Sequence, residues 1–367
     1  MKSHWKKWLL LAAVLVVVGA LVYRSRGSLG ISGPELWAAI RGANPLWLGA
    51  GLVLIYGCYA LRSLRWQVYQ RNLGRATFWE IYPATLAGFS AVYLLGRPGE
   101  AIRPVLLAKR ANIPVADIFG IWVLERLIDF GCMGVIAAAA LLTFKTPGGA
   151  GENAKTLAFA RSGGIALAVG VAVAFGFLVY LRLHGTKLIE NRIESSWKLV
   201  GWKAKVGKII LSVLRGIQAL RSLSDLVQTV VYSAAHWVLV LVVYYCVSQS
   251  FGGRLAELRL TDCILLLALT LVGSIFQLPG AGGGPQAAAI FVYHGIFGVE
   301  KTQAFVAAMV LWLVTFAGCA IVGIPLLIRE GVSLGQLKEI AEHDKEELDE
   351  IAAHGNAGAG GGGEKPA

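Results

Sequence analysis

The stretch WEIYPATLAGFSAVYLLGRPGEAIRPVLLAKR, Trp79 to Arg110, decides how this chain is folded. Residues 79–96 are apolar enough to enter a bilayer, but Gly88, Gly96, Pro98, Gly99 and Pro104 interrupt the stretch. Both flanks are basic, with Arg62, Arg65, Arg71 and Arg75 before it and Lys109 and Arg110 at its close. If 79–96 crossed completely, 99–108 would have to cross back. That segment covers only about 15 Å as helix, against a hydrocarbon core of about 30 Å. The stretch therefore reads as a re-entrant hairpin that returns to the side it came from. Broken backbone at such depth is tolerated only where it is buried in protein or lines a wet cavity.

Composition supports a bilayer setting. Hydrophobic residues make up 56% of the 367 and charged residues 15%, with a mean hydropathy of +0.63; soluble domains carry about a quarter charged residues. The net charge of +12 is spread over short stretches beside apolar blocks, as the positive-inside rule requires. No RNP, zinc-finger or helix-turn-helix pattern accompanies it, so nucleic acid is not expected as a partner. Cys58, Cys132, Cys246, Cys263 and Cys319 lie scattered in apolar blocks without metal-ligand or disulfide spacing. They read as small buried hydrophobes, with no metal and no cofactor expected.

Working outward from the hairpin gives the topology. MKSHWKK (1–7) precedes an apolar run, Trp8 to Tyr23, that ends in Arg24-Ser-Arg26 without a cleavage site. It reads as an uncleaved first helix rather than a signal peptide. Further spans are expected over about 45–61, Asp117–Phe144 (with Asp117 as N-cap), 162–181, 227–250 and 303–328. Residues 182–225 hold nine Lys/Arg against three acidic residues, interleaved with Trp197, Trp202 and Leu214. They read either as an amphipathic helix on an anionic leaflet or as a solvated linker helix. A second irregular block, 263–297, is broken by LPGAGGGPQAAA, with Pro279, Gly280, Gly282, Gly283 and Gly284 at the turn.

Parity then settles the count. A single crossing at 79–108 would place the basic 182–225 loop outside, whereas a hairpin places every strongly basic stretch inside. The expected architecture is an all-α polytopic membrane protein with about six full transmembrane helices plus two re-entrant hairpins from opposite sides. Paired Gly/Pro-broken segments of this kind point to an inverted repeat with a central binding site. The membrane domain would occupy 1–330 and a cytoplasmic tail 331–367, disordered from about 355. The N-terminus would also be cytoplasmic, in the cell inner membrane.

Charges inside apolar segments are costly, and so mark functional candidates. GRPGEAIRP holds Arg97, Glu100 and Arg103. The last two stand three apart and could pair on one helical turn. Arginine beside an exposed helix N-terminus is a natural phosphate site; the alternative is a salt bridge that locks the hairpin. In WVLERLIDF, Glu125 and Asp129 share a face with Arg126 beside them, which reads as a charge network able to reach the first hairpin. His236 and His294 read as hydrogen-bonded packing residues. No Ser-His-Asp, HExxH or nucleotide motif occurs, so catalysis is not indicated.

The GRPGEAIRP and ERLID elements, with a Pro/Gly-rich loop before the last span, resemble the lysylphosphatidylglycerol synthase transmembrane family over roughly residues 5–330. This flippase-like domain is found alone in many bacteria and archaea, and fused to an aminoacyl transferase in others. The resemblance implies a protein that moves or handles lipid head groups, with membrane lipids bearing anionic or phosphate groups as partners. It carries Arg97, Glu100, Arg103, Glu125, Arg126 and Asp129 over as the candidate site. Family members commonly carry Gly-Gly-x-Gly followed by Arg-Glu in the second hairpin. Here GAGGGPQ places Pro285 and Gln286 there, which puts a charged contact on that side in doubt and leaves Gln286 as a hydrogen-bonding candidate. Three function classes follow: a lipid translocator, a membrane enzyme or lipid-presenting partner of a separate enzyme, and a scaffold. A second copy of the chain, or a separate lipid-modifying enzyme, is a candidate protein partner.

Overall fold

A computed structural model describes residues 33–143, 161–173, 176, 180 and 222–329, apart from residues 72, 75, 97, 98, 101, 112, 114 and 279–281. The expected first helix at 8–23, the amphipathic stretch at 182–221 and the tail all lie outside the described residues. The fold is helical: α1 (Gly33–Arg41), α2 (Pro45–Gln70), α3 (Phe78–Leu95), α4 (Ile102–Ala111), α5 (Val115–Thr143), α6 (Arg161–Val173), α7 (Leu223–Ser250), α8 (Leu260–Gly273), α9 (Gly284–Ile290) and α10 (Lys301–Arg329). Among the described residues, four stretches are long and apolar enough to cross a membrane: Pro45–Gln70, Ile118–Thr143, Leu223–Ser250 and Lys301–Arg329.

Local signals start these helices. Asn44 accepts from the Leu46 N–H at 2.9 Å, with Pro45 in the first turn of α2, where its missing N–H costs nothing. Thr77 and Glu80 form a capping box on α3, as do Ser222 and Asp225 on α7. α5 begins at Val115, two residues before Asp117, so Asp117 lies inside the first turn rather than at the cap.

The long pair α2 and α7 lie antiparallel and tied at both ends. The Asn44 N–H donates to the Ser250 carbonyl at 2.7 Å, and Arg71 pairs with Asp225 at 3.1 Å at the opposite end. The second tie is weak in energy because the Arg71 side chain is 52% exposed. Arg71→Ala is expected to cost under about 1 kcal/mol, whereas Asp225→Ala also removes a helix cap and is expected to cost about 1 kcal/mol more. Chemical denaturation of the two variants checks this; equal losses would contradict it.

The block at 79–108 is a hairpin. α3 leaves the Gln70 end of the pair, and α4 returns to it, with Gly74 packed against Ile113 and the Ala111 carbonyl. Along the hairpin, Gly99 sits on the Ala91 backbone, and the Arg103 Cα is 3.0 Å from where a Cβ on Gly88 would stand. The glycines at these points allow the arms to touch. α8 and α9 form the opposed hairpin, tied to the Ser250 end by the Gln249 side chain donating to the Leu258 carbonyl at 3.0 Å. Its turn is a two-residue antiparallel ladder, Gln277–Leu278 against Gly282–Gly283. Gly283 takes a φ of +110°, which a side chain would oppose.

α10 runs beside α2 and α3. The Tyr56 hydroxyl donates to the Gly318 carbonyl at 2.7 Å, and the Ser90 hydroxyl to Cys319 at 3.2 Å. The tyrosine meets α10 just after a π turn at Leu313–Ala317, an irregularity that loosens the usual helical ladder. Among the described residues, the order long apolar helix, hairpin, long apolar helix thus occurs twice with opposite sense.

Candidate functional site

Five charged residues from the two sequence clusters meet two more from α2. Glu125 on α5 is fully buried, and Asp129, one turn on, is nearly so. The Arg65 guanidinium forks onto both, with Nη2 to Glu125 Oε1 at 2.7 Å and Nη1 to Asp129 Oδ1 at 2.9 Å. Its Nη1 also reaches Ser233 on α7 at 2.9 Å. Arg62 adds Nη1 to Asp129 Oδ2 at 3.0 Å and to Glu125 Oε1 at 3.4 Å. From the hairpin, Arg103 Nη2 donates to Glu125 Oε2. The Arg103 guanidinium stands 5.2 Å from the Trp66 ring centre and 5.1 Å from that of Phe89. These ring faces favour the cation while excluding water.

Arg126 is held differently. Its nearest carboxylates, Glu100, Glu125 and Asp129, stand at 3.7–3.8 Å, beyond hydrogen-bonding range. Its side chain is 27% exposed and that of Glu100 30%. With Phe89, Val92, Arg103 and Trp122 they line a small cavity of about 40 Å³. Within the network, Arg65 Nε, Arg103 Nη1 and Arg126 Nε are buried with no hydrogen-bond partner among the described residues; the last two belong to residues that line the cavity. Such orphan donors are rare in folded proteins and call for an explanation.

Depth follows from helix geometry. Arg65 and Arg62 lie five and eight residues before the Gln70 end of α2, or about 8–12 Å in at 1.5 Å per residue. Removal of this many charges from water is tolerated only because they pair.

The expected charge network is present, but its partners differ from the local expectation. Glu100 and Arg103 do not pair with one another. Arg103, at the start of α4, turns across to α5 and Glu125, and Glu100, in the turn before α4, faces Arg126. Arg97 and Pro98 lie outside the described residues, as do Pro279 and Gly280. Gln286 is buried in the other hairpin, where its Oε1 accepts from the Gly283 N–H at 2.5 Å; it does not line the cavity. His236 contacts the Cys58 carbonyl at 3.3 Å and His294 the Val299 carbonyl at 2.8 Å.

Sequence reading missed Arg62 and Arg65, which resemble the basic flank of a span. The signal was available in their spacing. Two arginines three apart on one helix can match two carboxylates four apart on another.

A wider cleft of about 760 Å³ opens at the Ser250 end, lined in part by Glu35, Gly252, Glu300 and Gln303. There the Glu300 carboxylate already accepts from the Thr302 and Gln303 N–H groups at 2.9 and 3.0 Å. The chain's own side chain thus occupies the α10 N-terminus.

Comparison with known proteins places this geometry in a family. The model of the lysylphosphatidylglycerol synthase TM region matches residues 8–323. The chain belongs to that family. Among its relatives, the UPF0104 membrane protein of Methanothermobacter thermautotrophicus is 22% identical over 352 residues, covering 88% of this chain and 97% of that protein. The glycosyltransferase AglD of Haloferax volcanii is 26% identical over 196 residues, 49% of this chain but only 30% of its own length. No solved structure gives a significant match. Family membership and the four long apolar helices among the described residues make this a multi-pass membrane protein of a family named for a lipid synthase's transmembrane region.

Proposed function

We propose that the chain binds the head group of a phosphate-bearing membrane lipid at the Arg103–Arg126 cavity and carries it between leaflets. One observation carries this reading. The buried Arg103 and the partly exposed Arg126, each with one buried donor that has no partner among the described residues, line a cavity between the first hairpin and a long apolar helix. Arginine suits phosphate because its planar fork can donate two parallel hydrogen bonds. Phe89, Val92 and Trp122 supply an apolar wall against which the rest of a lipid can lie. Arg97, which lies in sequence between α3 and α4, is proposed as a further phosphate contact. Gln286, in the opposed hairpin and away from this cavity, is proposed as a head-group contact at a later stage of the passage between leaflets. By the positive-inside rule the Gln70 end faces the cytoplasm, which puts the arginine network in the inner-leaflet half.

Reconstituted liposomes carrying an acyl-labelled anionic phospholipid test this. Wild type is expected to speed equilibration between leaflets, and Arg97→Ala, Glu100→Ala and Arg126→Ala to slow it at least about tenfold, the worth of a charged hydrogen bond. No acceleration by wild type, or full rates in all three variants, would overturn the proposal.

The partial similarity to a protein named as a glycosyltransferase favours a second reading, in which the domain presents a lipid to a separate enzyme. Lipid binding without transfer between leaflets would select it.

A further inference from the structure

The charge balance of the network separates it into two parts. Glu125 and Asp129 carry two negative charges, and Arg62 and Arg65 match them from α2 at hydrogen-bonding distances as short as 2.7 Å. Among the described residues, Arg103 and Arg126 are then surplus, with the partly exposed Glu100 against them. The surplus among these residues is one positive charge, on the two cavity-lining arginines that hold the unfilled donors Arg103 Nη1 and Arg126 Nε.

Glu125 also has a mechanical position. Its Oε1 is held by Arg65 of the long pair and its Oε2 by Arg103 of the returning arm. It is therefore a charged tie between α4 and the α2–α5 scaffold. Elsewhere the arm is held by apolar packing, with Ile102, Leu106, Leu107 and Ala108 buried in the same core cluster as residues of α2, α3 and α5, and by the ring faces of Trp66 and Phe89. Such contacts exclude water but are not directional, so the Glu125 bond is the contact that fixes the arm's position at this level.

We infer that a lipid phosphodiester, bearing one negative charge, takes Arg103 from Glu125, and that this exchange frees the returning arm of the hairpin. The inference rests on the proposed lipid-binding site and adds the ligand's charge class and a positioning role for Glu125. Before binding, Glu125 stands in for the phosphate on Arg103. On binding, the diester engages both terminal nitrogens of Arg103 together with Arg126, while Glu125 keeps Arg65. Binding takes the network from one surplus positive charge to neutrality, and Glu125 keeps Arg65, so the exchange strands no buried charge. The ligand shifts the arm because it binds Arg103 only when Glu125 has let go, the differential affinity that any population shift requires.

Amide hydrogen exchange of the full chain in dodecyl maltoside micelles reads the arm directly. The probes are phosphatidylmethanol, the simplest lipid of this class, diacylglycerol without phosphate, and water-soluble dimethyl phosphate. In wild type, phosphatidylmethanol is expected to speed exchange across 99–111 about tenfold or more, and diacylglycerol to leave it unchanged. In Glu125→Met, which removes both the charge and the acceptor, the arm should exchange fast without lipid and gain little from it. Arg103→Gln breaks the same tie from the hairpin side, so the test survives should Glu125→Met fail to fold. A response to dimethyl phosphate equal to that of the lipid would overturn the lipid as ligand. Retention of phosphatidylmethanol, read by native mass spectrometry, separates the two levels of the argument. Retained lipid with unchanged exchange in wild type overturns the exchange of partners alone. Lipid that is not retained overturns the binding site itself. Variants as protected as wild type without lipid would also sink the tie.

Discussion

Glu125→Ala is expected to lower the stability of the folded chain by about 3–5 kcal/mol, the usual cost of breaking a buried ion pair from one side. Glu125 is 0% exposed. Its carboxylate is the common acceptor for Arg65, Arg62 and Arg103, which arrive from α2 and α4. With alanine in place, Arg65 keeps Asp129, but Arg103 loses its carboxylate in a site walled by Trp66 and Phe89. Water cannot readily replace the lost partner. Glu125→Gln keeps an acceptor oxygen in nearly the same place and should lose roughly half as much, since the charge but not the bond is removed. Removing both partners is a different case. Glu125→Met with Arg103→Met deletes the carboxylate together with the arginine it would strand, and should recover part of the loss. Titration with SDS, followed by tryptophan fluorescence, gives the order wild type, glutamine, double methionine and alanine, with the middle pair close. An alanine variant as resistant as wild type would mean that the network contributes nothing to the fold.

Gly323→Val is expected to cost about 3 kcal/mol, the upper end for forcing volume into a packed site. On α10, Gly323 faces the first hairpin. A Cβ there would meet both the Ser90 hydroxyl and the Leu86 carbonyl of α3. The hydroxyl can rotate, but the carbonyl belongs to helix backbone and cannot move without shifting α3. That shift also displaces Phe89, the ring beside Arg103. Loss of the proposed lipid transfer should therefore accompany loss of stability. Gly170→Ala on α6 is the control, since nothing stands within 4 Å of a Cβ there. It should leave stability unchanged or slightly raised, because alanine favours helix over glycine by about 1 kcal/mol. The midpoint of heat-induced aggregation in detergent compares the three proteins. A valine variant matching the glycine control would contradict the close packing of α3 on α10.

Much of this architecture was legible in the chain. The glycines and prolines between Gly88 and Pro104 cannot sit in an ordinary span, and the basic residues on both sides of that block leave only a return to the same side. Gly74 against Ala111 and Ile113 is the contact that such a hairpin requires. The second block, ending in GGGPQ, follows the same logic from the Ser250 end. Charged residues in apolar surroundings likewise pointed to Arg103, Glu125, Arg126 and Asp129.

Partners were not legible. An arginine near the end of an apolar run has the same local sequence whether it faces head groups or the interior, so Arg62 and Arg65 passed for a basic flank. Glu100 and Arg103, three apart, suggested a local pair, yet their side chains diverge toward two different groups on α5. Composition, breaks in hydrophobicity and the placement of charge determine that this chain enters the bilayer, where it turns back and which segments carry charge at depth. Those are properties of each segment's exchange between water and lipid. Which carboxylate each arginine meets, and which donors are left unfilled, depends on how helices far apart in sequence rotate against one another. Packing at Gly88, Gly99 and Gly323 sets that rotation, and only the tertiary structure decides it.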